Sequence, residues 1–208
     1  MFPLGLLSTG AFGRDWFEPE FGAGDRRARD PRQLGMRVFI ASLAMLFASS
    51  IVLHYLIRWQ MGKDAPALPG APPMTILATL VLLASGATMV AAQSAVRRNR
   101  LARLELALFA TLALGCTFLL MQFFAWVDLT RRGIDLTTNL AAFAFYLLTV
   151  LHALHVVGGI IALTWTSLRA RRRIYSASNI AGVELCAEYW HFLGLVWIVL
   201  AIVLFVVR

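Results

Sequence analysis

The chain has 208 residues, 60 % of them hydrophobic and 14 % charged, with a formal net charge of +8. With a mean hydropathy of +0.74, this composition excludes an ordinary water-soluble domain, in which about half the residues are apolar and about a quarter charged. The pI near 10.7 does not imply nucleic acid as a partner: the basic residues sit in short turns with no aromatic interleaving, so no basic footprint forms.

In chain order, residues 1–35 come first, with six Gly, three Pro and five acidic against five basic residues. They contain no long apolar stretch of the kind a cleaved leader needs. They read as an irregular cytoplasmic arm that orders against a partner. Five uncharged runs follow: Val38–Ile57, Met74–Val96, Leu106–Val127, Leu136–Leu168 and Tyr189–Val207. About 20 apolar residues cross about 30 Å of hydrocarbon as a helix. The sequence therefore predicts an all-α polytopic membrane protein, with five transmembrane helices in one bundle occupying residues 36–208. The predicted spans are 36–58, 74–96, 105–127, 139–168 and 183–207. The fourth run exceeds one span, so its polar start "LTTN" lies outside the membrane or the helix tilts.

The connections fit this reading. The first span ends in "RWQMGKDAPALPGAPPM", whose prolines cannot continue a helix. The short turn "RRNRLAR" joins spans two and three as an antiparallel hairpin. Counted from the N-terminus, the segments outside the spans carry 6, 2, 4, 2, 4 and 1 Lys or Arg residues. This alternation places the N-terminus in the cytoplasm and the C-terminus outside. Cys116 and Cys186 have no metal or redox spacing and read as small buried thiols rather than a disulfide.

Ionisable groups at membrane depth are expensive, which makes each one a functional candidate. His152, His155 and Gly159 share one face of span four, and Glu184, Glu188 and His191 share one face of span five. Both stripes are expected to turn towards protein. Three chemistries compete for them: hydrogen bonding between helices, haem ligation and metal binding. Haem ligation would use paired imidazoles, His155 with His191 or His54 with His152. A metal at His152 and His155 would lack a third and fourth ligand. Nucleophile and phosphate-loop motifs are missing. A transporter is disfavoured because no span is broken by Pro and no repeats pair up. Gly158 and Ala162, one turn apart in "HALHVVGGIIAL", form a small-xxx-small pair suited to close helix packing.

Two stretches carry a family resemblance. "LTVLHALHVVGGIIALTWTSLRARRR" followed by "GVELCAEYWHFLGLVWIVL" resembles subunit III of the haem-copper terminal oxidases. That family has a paired-histidine "H-x-L-H-V" helix and then "Y-W-H-F-x-x-x-x-W", matched here by Tyr189, Trp190, His191, Phe192 and Trp197. "LGMRVFIASLAMLF", "LPGAPPMTILATLVLLASGATMVAAQSAVRRNR" and "FLLMQFFAWVDL" resemble its earlier helices, so the likeness runs over residues 34–207. Leu43, Ala125 and Gly194 stand where the family commonly has carboxylates.

The resemblance implies a five-span member lacking the first two helices of the seven-span form. It implies a non-catalytic subunit of a cytochrome c or quinol oxidase in the bacterial inner membrane. Such a chain binds no haem or copper of its own, both being expected in partner subunits. Its expected partners are the catalytic subunit I, the other oxidase subunits and phospholipid, and its expected roles are complex stability and proton uptake. His152, His155, Glu184, Glu188, Trp190 and His191 are then lipid-contacting or interhelical groups, with Gly158, Gly159 and Ala162 for helix packing. An accessory protein of a nitric oxide reductase and a small di-histidine cytochrome are the alternatives.

Overall fold

The computed structural model describes residues 31–61, 73–134, 139–176 and 179–205. They form five helices: α1 (Pro31–Met61), α2 (Pro73–Arg97), α3 (Leu101–Arg131), α4 (Leu140–Arg171) and α5 (Ala181–Phe205). All five are long and apolar enough to cross a membrane. The only other regular feature among the described residues is an isolated bridge between Ser176 and Asn179.

The helices outrun the uncharged stretches because backbone hydrogen bonding continues through the charged residues at each mouth. Pro31 opens α1, where a missing N–H costs nothing because the first turn has no intrahelical acceptor for it. The expected 1–35 arm therefore gives way to helix at Pro31, and the rest of it lies outside the described residues. Asn139 caps α4, its side chain accepting from the Ala142 N–H at 2.7 Å. The "LTTN" polar start thus ends in an N-cap, and the remainder of that segment is not among the described residues.

Three helix ends close in the same way. The N–H of Arg100 reaches the Ala95 carbonyl, that of Ile134 the Leu129 carbonyl, and that of Ile174 the Arg169 carbonyl. In each case the residue before the donor is left-handed: Asn99 at φ 53°, Gly133 at φ 77° and Arg173 at φ 53°. This six-to-one closure satisfies carbonyls that would otherwise be orphaned at the helix end.

Helices α2, α3, α4 and α5 close a ring, each touching the next, with α2 against α5 completing it. Helix α1 docks outside this ring on α4 and α5, and α1 and α2 do not meet along the described helices. Burial follows the same plan: 50 % of the most apolar stretch of α4 is buried within the chain, but only 11 % of that of α1.

Inside a membrane, helices gain little from the hydrophobic effect and associate through packing and hydrogen bonds. Most Ser and Thr hydroxyls here bond back to their own helix, as Thr164 does to Ile160 and Ser167 to Leu163. A few cross between helices. The Thr88 and Thr111 hydroxyls meet at 2.8 Å and tie α2 to α3. Thr88→Val is expected to cost about 0.6–1 kcal/mol, read as a lowered unfolding midpoint of the detergent-solubilised chain.

Candidate functional site

Helix α5 carries the densest interhelical chemistry. Trp190 is 3 % exposed, and its indole N–H donates to Ser85 Oγ of α2 at 3.2 Å. Ser85 can accept because its own proton goes to the Leu82 carbonyl at 2.7 Å. Two turns on, and so on the same face, the Trp197 indole N–H donates to Thr79 Oγ1 at 3.0 Å. Thr79 likewise donates to the Thr75 carbonyl at 2.8 Å. The third link runs to α4, where the Tyr189 hydroxyl donates to the His155 carbonyl at 3.1 Å. The aromatic residues of "EYWHF" and the tryptophan after it thus bind α5 to both neighbours in the ring.

Two glycines make room for this seam. A Cβ on Gly115 of α3 would lie 2.6 Å from the Trp190 ring. One on Gly159 of α4 would lie 2.9 Å from Leu193 and 3.3 Å from the Trp190 ring. The close approach therefore falls on Gly115 and Gly159. Gly158 is exposed and Ala162 only half-buried, so the pair picked out by the small-xxx-small spacing is not where the helices press together.

The histidines take four different positions. His152 is 1 % exposed and lies among the rings of Trp197, Phe47 and Phe118, with centroids at 5.4, 6.1 and 6.4 Å. Among the described residues, neither of its ring nitrogens has a hydrogen-bond partner. His155 is half-buried, its Nδ1 2.7 Å from the Leu151 carbonyl and its ring 5.3 Å from Phe47 of α1. His191 lies on the α2 side, where a Cβ on Gly86 would be 3.8 Å from its ring. His54 is buried on α1, and neither of its nitrogens has a hydrogen-bond partner among the described residues.

These positions do not suit haem. His155 looks to α1 and His191 to α2, on different sides of α5, and His152 is enclosed by aromatic rings. The His155 and His191 pair thus does not face a common gap as two axial ligands do. Among the described residues, no group of three His, Cys, Asp or Glu side chains could hold a metal ion.

The two carboxylates lie at the edge of the bundle, half-buried. Glu184 pairs with Arg97 of α2 at 3.0 Å. With side chains 23 % and 62 % exposed, this contact contributes no more than about 1 kcal/mol. Glu188 and His191 are half-buried. Within the stripe, Glu184 and His191 thus turn towards α2, as the cost argument suggested, whereas Glu188 lies on the flank of α5 with no polar partner among the described residues. On α4 the inward reading fits His152 and Gly159, both buried, better than His155. Cys186 is buried as expected, but Cys116 is exposed, because it falls on the outward side of α3. Leu43 and Ala125 are buried in apolar packing, whereas a Cβ on Gly194 would meet open space.

Several members of the arrangement were not marked by the sequence pattern. Ser85, Thr79 and Gly115 acquire meaning only once α2 and α3 lie against α5. A cavity of about 210 Å³ lined by Trp165, Leu168, Arg169, Arg172 and Ile174 lies at the end of α4. The Arg169 guanidinium sits 5.3 Å over the Trp165 ring. The signal was present as an aromatic one turn before a run of arginines, but charge alternation alone already explained that run. Beside it, outside the spans, Tyr175 is buried, which pushes its phenol above the ordinary range against the opposing pull of Thr166 and Arg169.

A ring of spanning helices, stapled by tryptophan and tyrosine bonds from one of them, defines a polytopic helical membrane protein. The sequence matches the family described as cytochrome c oxidase subunit III over residues 8–207. It is 33 % identical over 181 residues to the cytochrome c oxidase subunit 3 of a Synechocystis strain, covering 85 % of this chain and 76 % of that one. It is 30 % identical over 182 residues to a probable cytochrome c oxidase subunit 3 of Mycobacterium bovis, covering 84 % and 87 %. The subunit 3 of Thermostichus vulcanus is 29 % identical over 182 residues, covering 85 % and 88 %. The chain belongs to the cytochrome c oxidase subunit III family, and is thereby a multi-pass bacterial membrane protein and part of an oxidoreductase complex.

Proposed function

We propose that the chain is a non-catalytic subunit of a respiratory haem-copper oxidase in the bacterial inner membrane, with its N-terminus in the cytoplasm. In this reading it packs beside catalytic subunit I, holds phospholipid and supports the stability and proton uptake of the complex. Haem and copper reside in the partner subunits. The carrying observation is how the chain uses the aromatic residues of "EYWHF" together with Trp197. Tyr189, Trp190 and Trp197 are all committed to bonds between helices, which is the work of a scaffold. The alternation of basic residues supports the orientation. Leu43, Ala125 and Gly194 carry no titratable group, so any support of proton uptake runs without carboxylates at those positions.

The cavity at Trp165, Arg169 and Arg172 supports lipid binding. Two guanidiniums suit a phosphate headgroup, and the adjoining Leu168 and Ile174 suit its acyl chains. On the proposed orientation the cavity lies at the cytoplasmic interface, where anionic lipid accumulates.

Detergent-purified oxidase is expected to contain this chain in fixed ratio to the haem-bearing subunit. An oxidase prepared without it is expected to keep its initial turnover and to lose activity several-fold sooner during sustained turnover. A chain that never accompanies a haem-bearing subunit, or whose removal leaves the working life unchanged, contradicts this function.

A further inference from the structure

We propose that a transmembrane helix of another oxidase subunit, bearing a cationic or N–H-donating side chain, docks along the outer face of α5 between α1 and α2. The inference rests on the reading of the chain as an oxidase subunit and assigns the face by which it is held.

The shape comes first. Glu188, Leu195, Val199 and Ile202 recur at helical spacing on one side of α5, and Leu195 is 60 % exposed. Helices α1 and α2 flank α5 with no close approach of their backbones along the described helices, so this side is the floor of a groove between them. Cavities of about 200 and 320 Å³ follow one another along α5, both lined by Thr79 and Ile198. The first also runs past Gly86 and Gly194. Small residues of this kind let a second backbone come close in a membrane.

The chemistry selects the occupant. Glu188 and His191 lie about 6 and 10 Å further along α5 than Glu184. Neither makes a hydrogen bond or ion pair among the described residues, whereas the Glu184 carboxylate is taken by Arg97. Arg37, two residues before the Phe39 that touches Tyr189, is exposed and forms no ion pair with Glu188. Ionisable groups at membrane depth are met by other polar groups rather than left bare to hydrocarbon. Acyl chains supply none, and the unpaired Glu188 carboxylate repels a lipid phosphate, in contrast to the arginine-lined cavity at the end of α4. The outward faces of α3 and α4 present bulky apolar residues such as Leu120 and Ile161, as a lipid-facing surface does. A peptide helix with a donor at the level of Glu188 satisfies both the groove and its charge.

The test places a photoreactive benzophenone amino acid at Leu195 of the full chain, irradiates native membranes and purifies the oxidase. The expected product joins this chain to another oxidase subunit. Its yield per recovered chain should fall at least tenfold when Glu188→Ala and His191→Ala are combined. An adduct to phospholipid only, or to a second copy of this chain, in an oxidase that still contains the chain overturns the docking face and leaves the subunit reading standing. An adduct whose yield is unmoved by the double substitution overturns the polar recognition claimed here. Absence of the chain from the purified oxidase overturns both.

Discussion

Replacing Trp190 by alanine is expected to destabilise the chain by about 3–5 kcal/mol, the range for removing a buried tryptophan. The loss has two parts of unequal size. Most of it is packing, since the indole fills the space where α3, α4 and α5 converge, against Gly115 and Gly159. The hydrogen bond to Ser85 adds only about 0.6 kcal/mol, the average for such bonds in a membrane bundle. Ser85 is not orphaned by the change, because its hydroxyl still donates to the Leu82 carbonyl. Trp190→Phe, which keeps much of the ring and loses the donor, should therefore cost distinctly less than alanine. Unfolding midpoints of the detergent-solubilised chain measure the order. Equal losses for Phe and Ala would mean that the hydrogen bond, not the ring, holds the seam.

Gly115→Val is expected to cost about 3 kcal/mol by overpacking. Its Cβ alone would fall 2.6 and 2.9 Å from two atoms of the Trp190 ring, a distance that forces either the indole or α3 to move. The indole is not free to yield, since its ring also lies close against α4 at Gly159, where a Cβ would come within 3.3 Å of it, and its N–H is held by Ser85. The argument makes a stronger demand than a single loss. In a Trp190→Leu background the same valine should cost less, because the ring it strikes has gone. Contacting residues show non-additivity of about 0.5–3 kcal/mol, and the double-mutant cycle should fall in that range. A strictly additive result would place the strain somewhere other than the Gly115–Trp190 contact.

Much of the fold was legible because membrane solubility imposes a simple rule: an uncharged run of sufficient length becomes a helix. The rule finds each helix but not its ends. Helix α1 runs from Pro31 to Met61 and α3 continues to Arg131, since hydrogen bonds extend past the last apolar residue into the interface. It also leaves the faces undetermined. On a helix apolar all round, hydrophobic periodicity cannot point to the core, and the polar residues were assigned inward on their cost alone. That succeeded for His152, which is buried, and less for Glu188 and His191, which are only half-buried. The cost of a bare charge can be relieved by a neighbouring subunit as well as by the chain's own core, and one sequence does not distinguish these. The sequence marked Gly158, Gly159 and Ala162 for packing, of which Gly159 lies at the close approach, whereas Gly115 became evident only against the Trp190 ring. Trp190 and Trp197 stand out in the sequence, but their partners Ser85 and Thr79 are small hydroxyls with no signature of their own.

The visible absorption spectrum of this chain purified alone, beside that of the oxidase from which it was removed, tests most directly whether its buried polar groups serve contact between helices and subunits rather than electron transfer. The account predicts that the isolated chain shows no Soret band and that the depleted oxidase retains its full haem complement. A Soret band that stays with the isolated chain and disappears on His155→Ala or His191→Ala would contradict it.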